Sequence, residues 1–418
     1  MRSRDRVRGG WGLRFVFLVL AASVAAGGTR AHAAAAETHP KDVDSCHVRA
    51  VKSLPGSHKF ASDFLEAIAS DPNSRAKDRN VVWGLTADLS SEIAAEEHAI
   101  YLSKSIDGGM TWTPLARVGG RYFDADIGEG ERNGLAVSPG GRDFVITTQL
   151  GAFQVLPQAG TLEAVVRPIA GPRVPRPDPE VTIPKKEGDP VTAGAVKITP
   201  DGKRLMVGYG YFDLKPQIFA YRRARDGSWI DGKPLPALPT DMDILSMEFG
   251  DPKSRAASSL YVGTGDQAFR LRASQWTRID GVGDDSAIQG MSMVGGPHLA
   301  ACWGVYTPVS ADAVERVTHA SFLLHRDEDE AGPGIRAFSV EVDPARPNHE
   351  VVTGLTGAYA SADGGKSWKR LNELPDEEFR SAHFNAEDGT VIVSGIAGTF
   401  LANPFSKSCS ARLKKRGP

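Results

Sequence analysis

The stretch SIDGGMTW at residues 105–112 returns far along the chain as SADGGKSW at residues 361–368. The sequence before each copy repeats as well, because VVWGLT at 81–86 corresponds to VVTGLT at 351–356. Self-similarity of this kind is typical of supersecondary units that bury their apolar faces only by stacking on one another. The chain is therefore predicted to be a repeat protein.

Seven similar units can be traced around these two copies. Each begins with a short apolar strand that ends in a turn rich in Gly, Pro and Asp, and a second strand follows. The apolar strands are 64–70, 134–138, 194–199, 244–250, 287–294, 337–342 and 381–385. A third strand completes the pattern in each unit, and in the fifth unit it is predicted at 319–325. Seven four-stranded units without helical periodicity predict an all-β fold, a single seven-bladed β-propeller.

The two ends of the chain are predicted to close the ring. The seventh unit has three strands, and the segment HVRAVKSL at 47–54 is a strand left over at the other end. Pairing them makes the N-terminal strand the outer strand of the last blade, and this hides two sheet edges. The same pairing brings Cys46 beside Cys409, so we predict a disulfide there, the alternative being two unrelated thiols. Cys302 is expected to be a buried free thiol.

Both octapeptides fit the pattern S-x-D-x-G-x-[ST]-W, which resembles the Asp-box of the sialidase and BNR-repeat β-propellers. In that family the box is a turn between the third and outer strands, where the Asp accepts backbone hydrogen bonds and the Trp packs between blades. The resemblance implies a structural role for Ser105, Asp107, Gly109, Thr111, Trp112, Ser361, Asp363, Gly365, Ser367 and Trp368.

The resemblance says more about fold than about activity. Sialidases have six blades and an FRIP-like motif, whereas this chain has seven predicted blades and only the strings VVRPI at 165–169 and RVPRP at 173–177. Seven-bladed relatives look more like the photosystem II assembly/stability factors and the wider WD40/YVTN/BNR-like group, which bind partners. The resemblance therefore implies a binding module more than an enzyme.

The first residues are typical of an exported protein. Residues 1–33 combine a basic start, the apolar run FVFLVLAASVAAGG and a small-residue cleavage site, so they are predicted to be a signal peptide. Residues 34–45 are expected to be a flexible mature N-terminus, 46–409 the propeller and 410–418 a basic tail. Without the leader the net charge is about −7, which disfavours nucleic acid as a partner. We expect a secreted or periplasmic monomer that is not inserted in a membrane.

The connections between strands indicate which face is used. In a propeller the 2–3 and 4–1 connections share one face, here called the loop face, and the 1–2 and 3–4 connections share the other, here called the turn face. The predicted insertions at 87–98, 119–133, 170–193, 305–317 and 326–336 all fall on the loop face. The turn face is expected to carry only tight turns. Since loops carry binding sites, the loop face is the predicted binding face.

Charged residues stand beside the inner strands at this face. The candidate binding residues are Asp124, Asp126, Arg132, Asp189, Asp243, Asp284, Asp285, Arg336 and Arg380. The carboxylates could attract a cationic partner or hold a divalent cation, and the arginines could clamp an anion. The simpler interpretation is that they are solvated loop charges and capping pairs.

The function that the sequence favours is an exported, non-catalytic binding or assembly module with a protein or glycan ligand on its acidic loop face. The alternative is a glycoside hydrolase, sialidase-like or acting on another glycan, since such enzymes need only two carboxylates at the right separation. No catalytic residue can be assigned, and neither a cofactor nor a metal site is expected.

Overall fold

The structure is a computed structural model. The residues that it describes are 48–51, 54, 65–71, 80–88, 99–119, 134–174, 186–210, 215–251, 253–254, 257–283, 286–302, 304–316, 336–385 and 388–406. They belong to one compact unit, Asp44–Pro418. The predicted signal peptide, Cys46, Cys409 and the basic tail lie outside the described residues.

The described strands form seven four-stranded antiparallel sheets, arranged as a seven-bladed β-propeller. Blades 1 to 4 contain, from the inner to the outer strand, β2 (Ala67–Ser70), β3 (Val82–Asp88), β4 (Ala99–Ser105) and β5 (Thr113–Gly119); β6 (Leu135–Val137), β7 (Phe144–Thr148), β8 (Gly151–Pro157) and β9 (Ala164–Ile169); β10 (Ala193–Ile198), β11 (Arg204–Tyr209), β12 (Gln217–Arg223) and β13 (Trp229–Pro234); β14 (Ile244–Phe249), β15 (Leu260–Thr264), β16 (Ala268–Arg272) and β17 (Gln275–Arg278).

Blades 5 to 7 complete the ring. Their strands are β18 (Ile288–Ser292), β19 (His298–Ala301), β20 (Gly304–Ser310) and β21 (Ala313–Arg316); β22 (Ala337–Val342), β23 (Glu350–Gly354), β24 (Gly357–Ser361) and β25 (Lys369–Arg370); β26 (Phe379–Phe384), β27 (Val391–Gly395), β28 (Gly398–Ala402) and β1 (Arg49–Ala50). No helix in the described part of the chain is long and apolar enough to cross a bilayer.

The ring closes as predicted, with the N-terminal strand on the outer edge of the last blade. Strand β1 pairs antiparallel with β28, so that Arg49 faces Leu401 and Ala50 faces Phe400. The amide of Val51 extends the ladder by donating to the carbonyl of Thr399 at 2.8 Å. This closure joins the two ends of the chain in one sheet and removes an open edge from the ring.

The apolar core is a ring of clusters between neighbouring sheets. Blades 1 and 2 share a cluster around Leu85 and Ile146, and blades 6 and 7 share one around Val351 and Phe379. The described residues form such a cluster at each of the seven junctions. Because each blade buries both faces against its neighbours, the second strands read as continuous apolar runs.

The sequence assignment of blade 5 was wrong. Residues 305–317 had been predicted as a loop-face insertion and 319–325 as the third strand, but the third and outer strands are β20 and β21. Pro308 made this segment read as a loop. It lies at a register shift between β20 and β21, and a bulge near a strand end is a place where a proline is tolerated. Residues 319–325 lie outside the described residues.

The turn face is also less uniform than predicted. The 1–2 connections of blades 1 and 4 span 11 and 10 residues, 71–81 and 250–259, so they are not tight turns. The loop face still has the longest connections, with 15, 23 and 20 residues at 120–134, 170–192 and 317–336. The predicted asymmetry between the faces is therefore weaker than the sequence indicated, although its direction is the same.

Candidate functional site

Four of the nine predicted binding residues lie among the described residues. Asp189, Asp243, Arg336 and Arg380 all stand on the loop face, close to the starts of inner strands. The other five lie outside the described residues: Asp124, Asp126, Arg132, Asp284 and Asp285. Whether the arginines converge into a clamp is therefore open, and the local contacts of the four placed residues carry the description.

The two described aspartates are tied to their own connections. The carboxylate of Asp189 accepts a hydrogen bond from the amide of Lys186 at 2.7 Å, and its carbonyl accepts one from Val174 at 2.9 Å. The carbonyl of Asp243 accepts one from the amide of Gly265 at 3.0 Å. Both residues are half-buried. Asp189 therefore stabilises its own turn, which is the simpler of the two interpretations.

The charged side chains of blades 6 and 7 are paired with near neighbours. Arg380 forms an ion pair with Glu378 two residues before it. Arg370 donates to Asp376 at 3.1 Å, to the carbonyl of Pro375 at 3.2 Å and to that of Thr356 at 3.0 Å. Carboxylates held in this way are not placed as a free acid and base for hydrolysis.

Two exposed apolar side chains project from the loop face beside these ion pairs. Leu355, 43% exposed, and Ile396, 55% exposed, occupy the 2–3 turns of the adjacent blades 6 and 7. Arg370 links the first turn to the 6–7 connection through its bond to Thr356, and the amide of Ile396 bonds the carbonyl of Glu378 in that connection at 2.9 Å. The two apolar tips are thus fixed in one hydrogen-bonded frame of charged residues.

Exposed apolar side chains also occur near the turn face. Met110, 50% exposed, lies in the 3–4 turn of blade 1, and Val309, 63% exposed, lies near the end of β20. Their blades are not neighbours in the ring. They therefore offer matched controls for Leu355 and Ile396, with similar exposure at the opposite end of the blades.

The two repeated octapeptides form the same turn. The Ser105 hydroxyl donates to Asp107 at 2.7 Å and accepts from the Gly109 amide at 2.8 Å, while the Thr111 amide donates to Asp107 at 2.9 Å and the Trp112 indole to the Gly109 carbonyl at 2.9 Å. Ser361, Asp363, Gly365, Ser367 and Trp368 repeat this pattern at 2.8, 2.9, 2.8 and 2.9 Å.

The backbone and the charges of these turns agree with their hydrogen bonds. Gly109 and Gly365 have φ of +97° and +81°, a region that glycine adopts without strain. Burial alone would raise the pKa of Asp107, but the hydrogen bonds from Thr111 outweigh it and lower the pKa. The same balance, with Ser367 as donor, lowers the pKa of Asp363. The carboxylates are thus consumed by local bonds.

The central channel contains a set of ionisable side chains that the sequence analysis missed. The pairing registers place Lys197 opposite Met206, Glu248 opposite Tyr261, Glu341 opposite Val351 and His383 opposite Ile392, which is one equivalent position in four inner strands. We call the seven residues at this position the channel layer: Ala69, Ala136, Lys197, Glu248, Ser292, Glu341 and His383.

The channel layer is electrostatically coupled across the ring. Nζ of Lys197 lies 2.5 Å from Oε2 of Glu248, and these side chains are 36% and 29% exposed. Burial alone would lower the pKa of Lys197, but Glu248 outweighs it and raises the pKa. Burial raises the pKa of Glu341 to about 8, opposed by Lys197 and reinforced by Glu248. Burial lowers the pKa of His383 to about 4, with Lys197 adding to the effect.

A faint sequence signal for this layer exists. In GAVKIT, ILSMEFG and AFSVEV the single charged residue stands one place before the last residue of an apolar strand. A lone charge of this kind in one strand has no meaning, but its recurrence at one register position predicts a shared layer. Among the described residues no group of three or more His, Cys, Asp or Glu side chains is arranged to hold a metal ion.

The comparisons with known proteins show the fold. No family model matches the chain, and no curated protein matches it. Among solved structures, YCF48 from Cyanidioschyzon merolae is similar with a TM-score of 0.52 and 15% sequence identity, covering 86% of this chain and 99% of that one. A structure of YCF48 bound to D1 peptide is similar with a TM-score of 0.50 and 13% identity, covering 84% and 96%.

A third similar structure is larger than this chain. It is the extracellular domain of the hybrid two component system BT4673 from B. thetaiotaomicron, with a TM-score of 0.51 and 10% identity, covering 85% of this chain and 39% of that one. At such identities the likeness concerns the fold alone. The expected similarity to seven-bladed propellers is confirmed at that level.

Proposed function

We propose that the chain is an exported, non-catalytic binding module that holds a segment of another protein on its loop face. The observation that carries this proposal is the pair of exposed apolar tips, Leu355 and Ile396, on adjacent blades and within a frame of ion pairs. An apolar centre with a polar rim is the usual composition of a protein-binding surface. The solved structure of YCF48 bound to D1 peptide supports the choice of a protein segment as ligand.

Three parts of this proposal rest on the sequence. Export rests on residues 1–33, and the acidic character of the face rests in part on Asp124, Asp126, Asp284 and Asp285. Membership of the BNR/Asp-box group rests on the two octapeptides, and their shared hydrogen-bond pattern supports it. These acidic residues would surround the apolar centre and attract a basic partner.

The glycoside hydrolase alternative has less support. It requires two carboxyl groups that flank a substrate, one of them protonated. On the loop face Asp189 is bound to the amide of Lys186, Asp376 to Arg370, and Glu378 to Arg380. These contacts favour a structural role for the charges, so the binding role is the function that the geometry supports best.

The test is a quantitative affinity capture from an extract of the source cells. Leu355→Ser combined with Ile396→Ser should deplete a specific bound protein at least tenfold, because apolar residues at an interface centre dominate binding. The matched control, Met110→Ser combined with Val309→Ser, should leave that protein bound. Loss with the control pair and retention with the test pair would refute the assignment of the face.

A parallel arm tests the enzyme. The purified protein is incubated with a panel of glycans, including acidic sugars, beside a variant that combines Arg336→Ala and Arg380→Ala. The binding proposal predicts no glycan hydrolysis by either protein. Hydrolysis that the double variant loses by orders of magnitude would instead establish the hydrolase.

A further inference from the structure

The channel layer joins charged side chains of four blades with small side chains of the other three. Lys197, Glu248, Glu341 and His383 come from blades 3, 4, 6 and 7, whereas blades 1, 2 and 5 contribute Ala69, Ala136 and Ser292 at the same register position. Three small residues leave room beside the charged group. The layer is thus a polar chamber inside the ring.

The charges of this chamber are not balanced pair by pair. Lys197 is engaged by Glu248 at 2.5 Å. Within the described part of the chain Glu341 and His383 form no hydrogen bond and no ion pair, and both face the same chamber as Lys197. Two carboxyl groups therefore share one ammonium group, and Glu341 has no cation of its own.

We propose that the chamber is a binding site for a primary ammonium group, which pairs with the carboxyl group of Glu341. The guest would give the chamber two ammonium groups and two carboxylates. A divalent metal is a poorer fit, because the described residues offer no arrangement of three ligands for it. This site is independent of the proposed function, which concerns the opposite end of the inner strands.

The chamber lies near the turn face. Lys197 and Glu341 are each one residue before the last residue of their strands, Ile198 and Val342. At about 3.3 Å per strand residue the layer is roughly 7 Å below the strand ends. A free alkylamine could reach this depth, and so could the lysine side chain of a partner that docks on the turn face.

Binding of the guest has a proton balance that can be measured. Burial and Glu248 keep Glu341 mostly protonated at pH 7, since its pKa is about 8. When the ammonium binds, the O–H bond of Glu341 breaks, the carboxylate keeps the electron pair, and the proton passes to the buffer. Lys197 remains charged, Glu248 remains bound to it, and His383 remains neutral above its pKa of about 4.

The experiment is isothermal titration of the purified protein with n-butylammonium, in phosphate and in HEPES, at pH 7 and pH 9. We expect about one proton released per guest at pH 7, almost none at pH 9, and an affinity that rises about tenfold between them. Uncharged 1-butanol should not bind. Absence of binding by n-butylammonium, or binding without proton release at pH 7, would overturn the proposal.

Variants separate this site from non-specific binding. Glu341→Gln, which keeps the size of the side chain, should weaken binding at least tenfold and abolish proton release, whereas Ser292→Ala should change neither. Lys197→Met removes the competing ammonium and should strengthen binding, so it tests the proposal even if Glu341→Gln does not fold. Unchanged binding by folded Glu341→Gln, or weaker binding by Lys197→Met, would contradict it.

A peptide arm distinguishes the two sources of the ammonium group. Acetyl-Gly-Lys-Gly-amide is compared with the same peptide carrying norleucine in place of lysine. Binding of the lysine peptide alone, more tightly than n-butylammonium, identifies a partner's side chain as the guest. Binding of n-butylammonium without binding of either peptide identifies a free amine.

Discussion

The ammonium group of Lys197 lies 2.5 Å from a carboxylate oxygen of Glu248, and this contact joins the inner strands of blades 3 and 4 inside the channel. The pair is about one-third exposed, so solvent screens it more than a fully buried pair. We expect a double-mutant cycle with Lys197→Met and Glu248→Gln to give a coupling free energy of about 1 kcal/mol. It is measured by urea unfolding of the four proteins.

The exposed pair of Lys215 and Asp241 is the matched control. Its atoms lie 3.2 Å apart, but its side chains are 83% and 79% exposed. The same cycle should give a coupling that is not measurable. Equal coupling in the two pairs would show that the channel gives Lys197 and Glu248 no special environment.

The pH dependence of stability should report on Glu341 and His383. Glu341 has its pKa raised to about 8 in the fold, so the stability it contributes is present at low pH and is lost as the pH rises through about 8. His383 has its pKa lowered to about 4, so its contribution is present above the unfolded value and is lost as the pH falls from about 6.5 toward 4.

The two effects oppose each other between about pH 4.5 and 6.5, and only Glu341 acts between about 6.5 and 8. In that upper window the free energy of unfolding should fall by up to about 1.4 kcal/mol per pH unit. Glu341→Gln should flatten this fall, and His383→Asn should leave it in place. A fall that survives Glu341→Gln would assign it to another group.

The tryptophans of the repeated turns should be structural. Trp112 packs with Leu65 and Ile392 between blades 1 and 7, and Trp368 packs with Val305 between blades 6 and 5. Replacing either with Ala should lower the free energy of unfolding by about 3 to 5 kcal/mol while the folded protein still binds its partner. The half-buried Trp276 should cost less. Lost binding with unchanged unfolding would mean that these turns form the binding site.

The predicted disulfide between Cys46 and Cys409 is tested by peptide mapping under non-reducing conditions. The pairing of Arg49 with Leu401 brings the preceding and following segments toward each other, which favours the link. Cys46→Ser should then cost about 2 to 5 kcal/mol. Cys302 is buried and free, so it serves as the internal reference for an unlinked thiol. Recovery of Cys46 and Cys409 as free thiols would exclude the bond.

The fold could be predicted because its signals are local. Turn residues such as Pro200 and Gly202 punctuate the chain, and ring closure follows from counting strands. Blade 5 was misassigned because Pro308 looks like a strand breaker unless the bulge beside it is known. That bulge depends on pairing with β21, which no single stretch of sequence states.

The candidate sites could be predicted only in part. Charges such as Asp189 and Arg380 were placed on the loop face, but their local partners, the Lys186 amide and Glu378, become visible only in three dimensions. The channel layer was missed because its members are far apart in sequence. Their proximity follows from the shared register of separate inner strands around one axis.

The measurement that tests the central claim most directly is site-specific photo-crosslinking in the source cells. A benzophenone amino acid replaces Ile396 on the loop face in one protein and Val309 near the turn face in another, two positions that are 55% and 63% exposed. The account predicts a crosslink to one defined protein from position 396 and none to that protein from position 309. A crosslink to a defined protein from position 309 alone would contradict it.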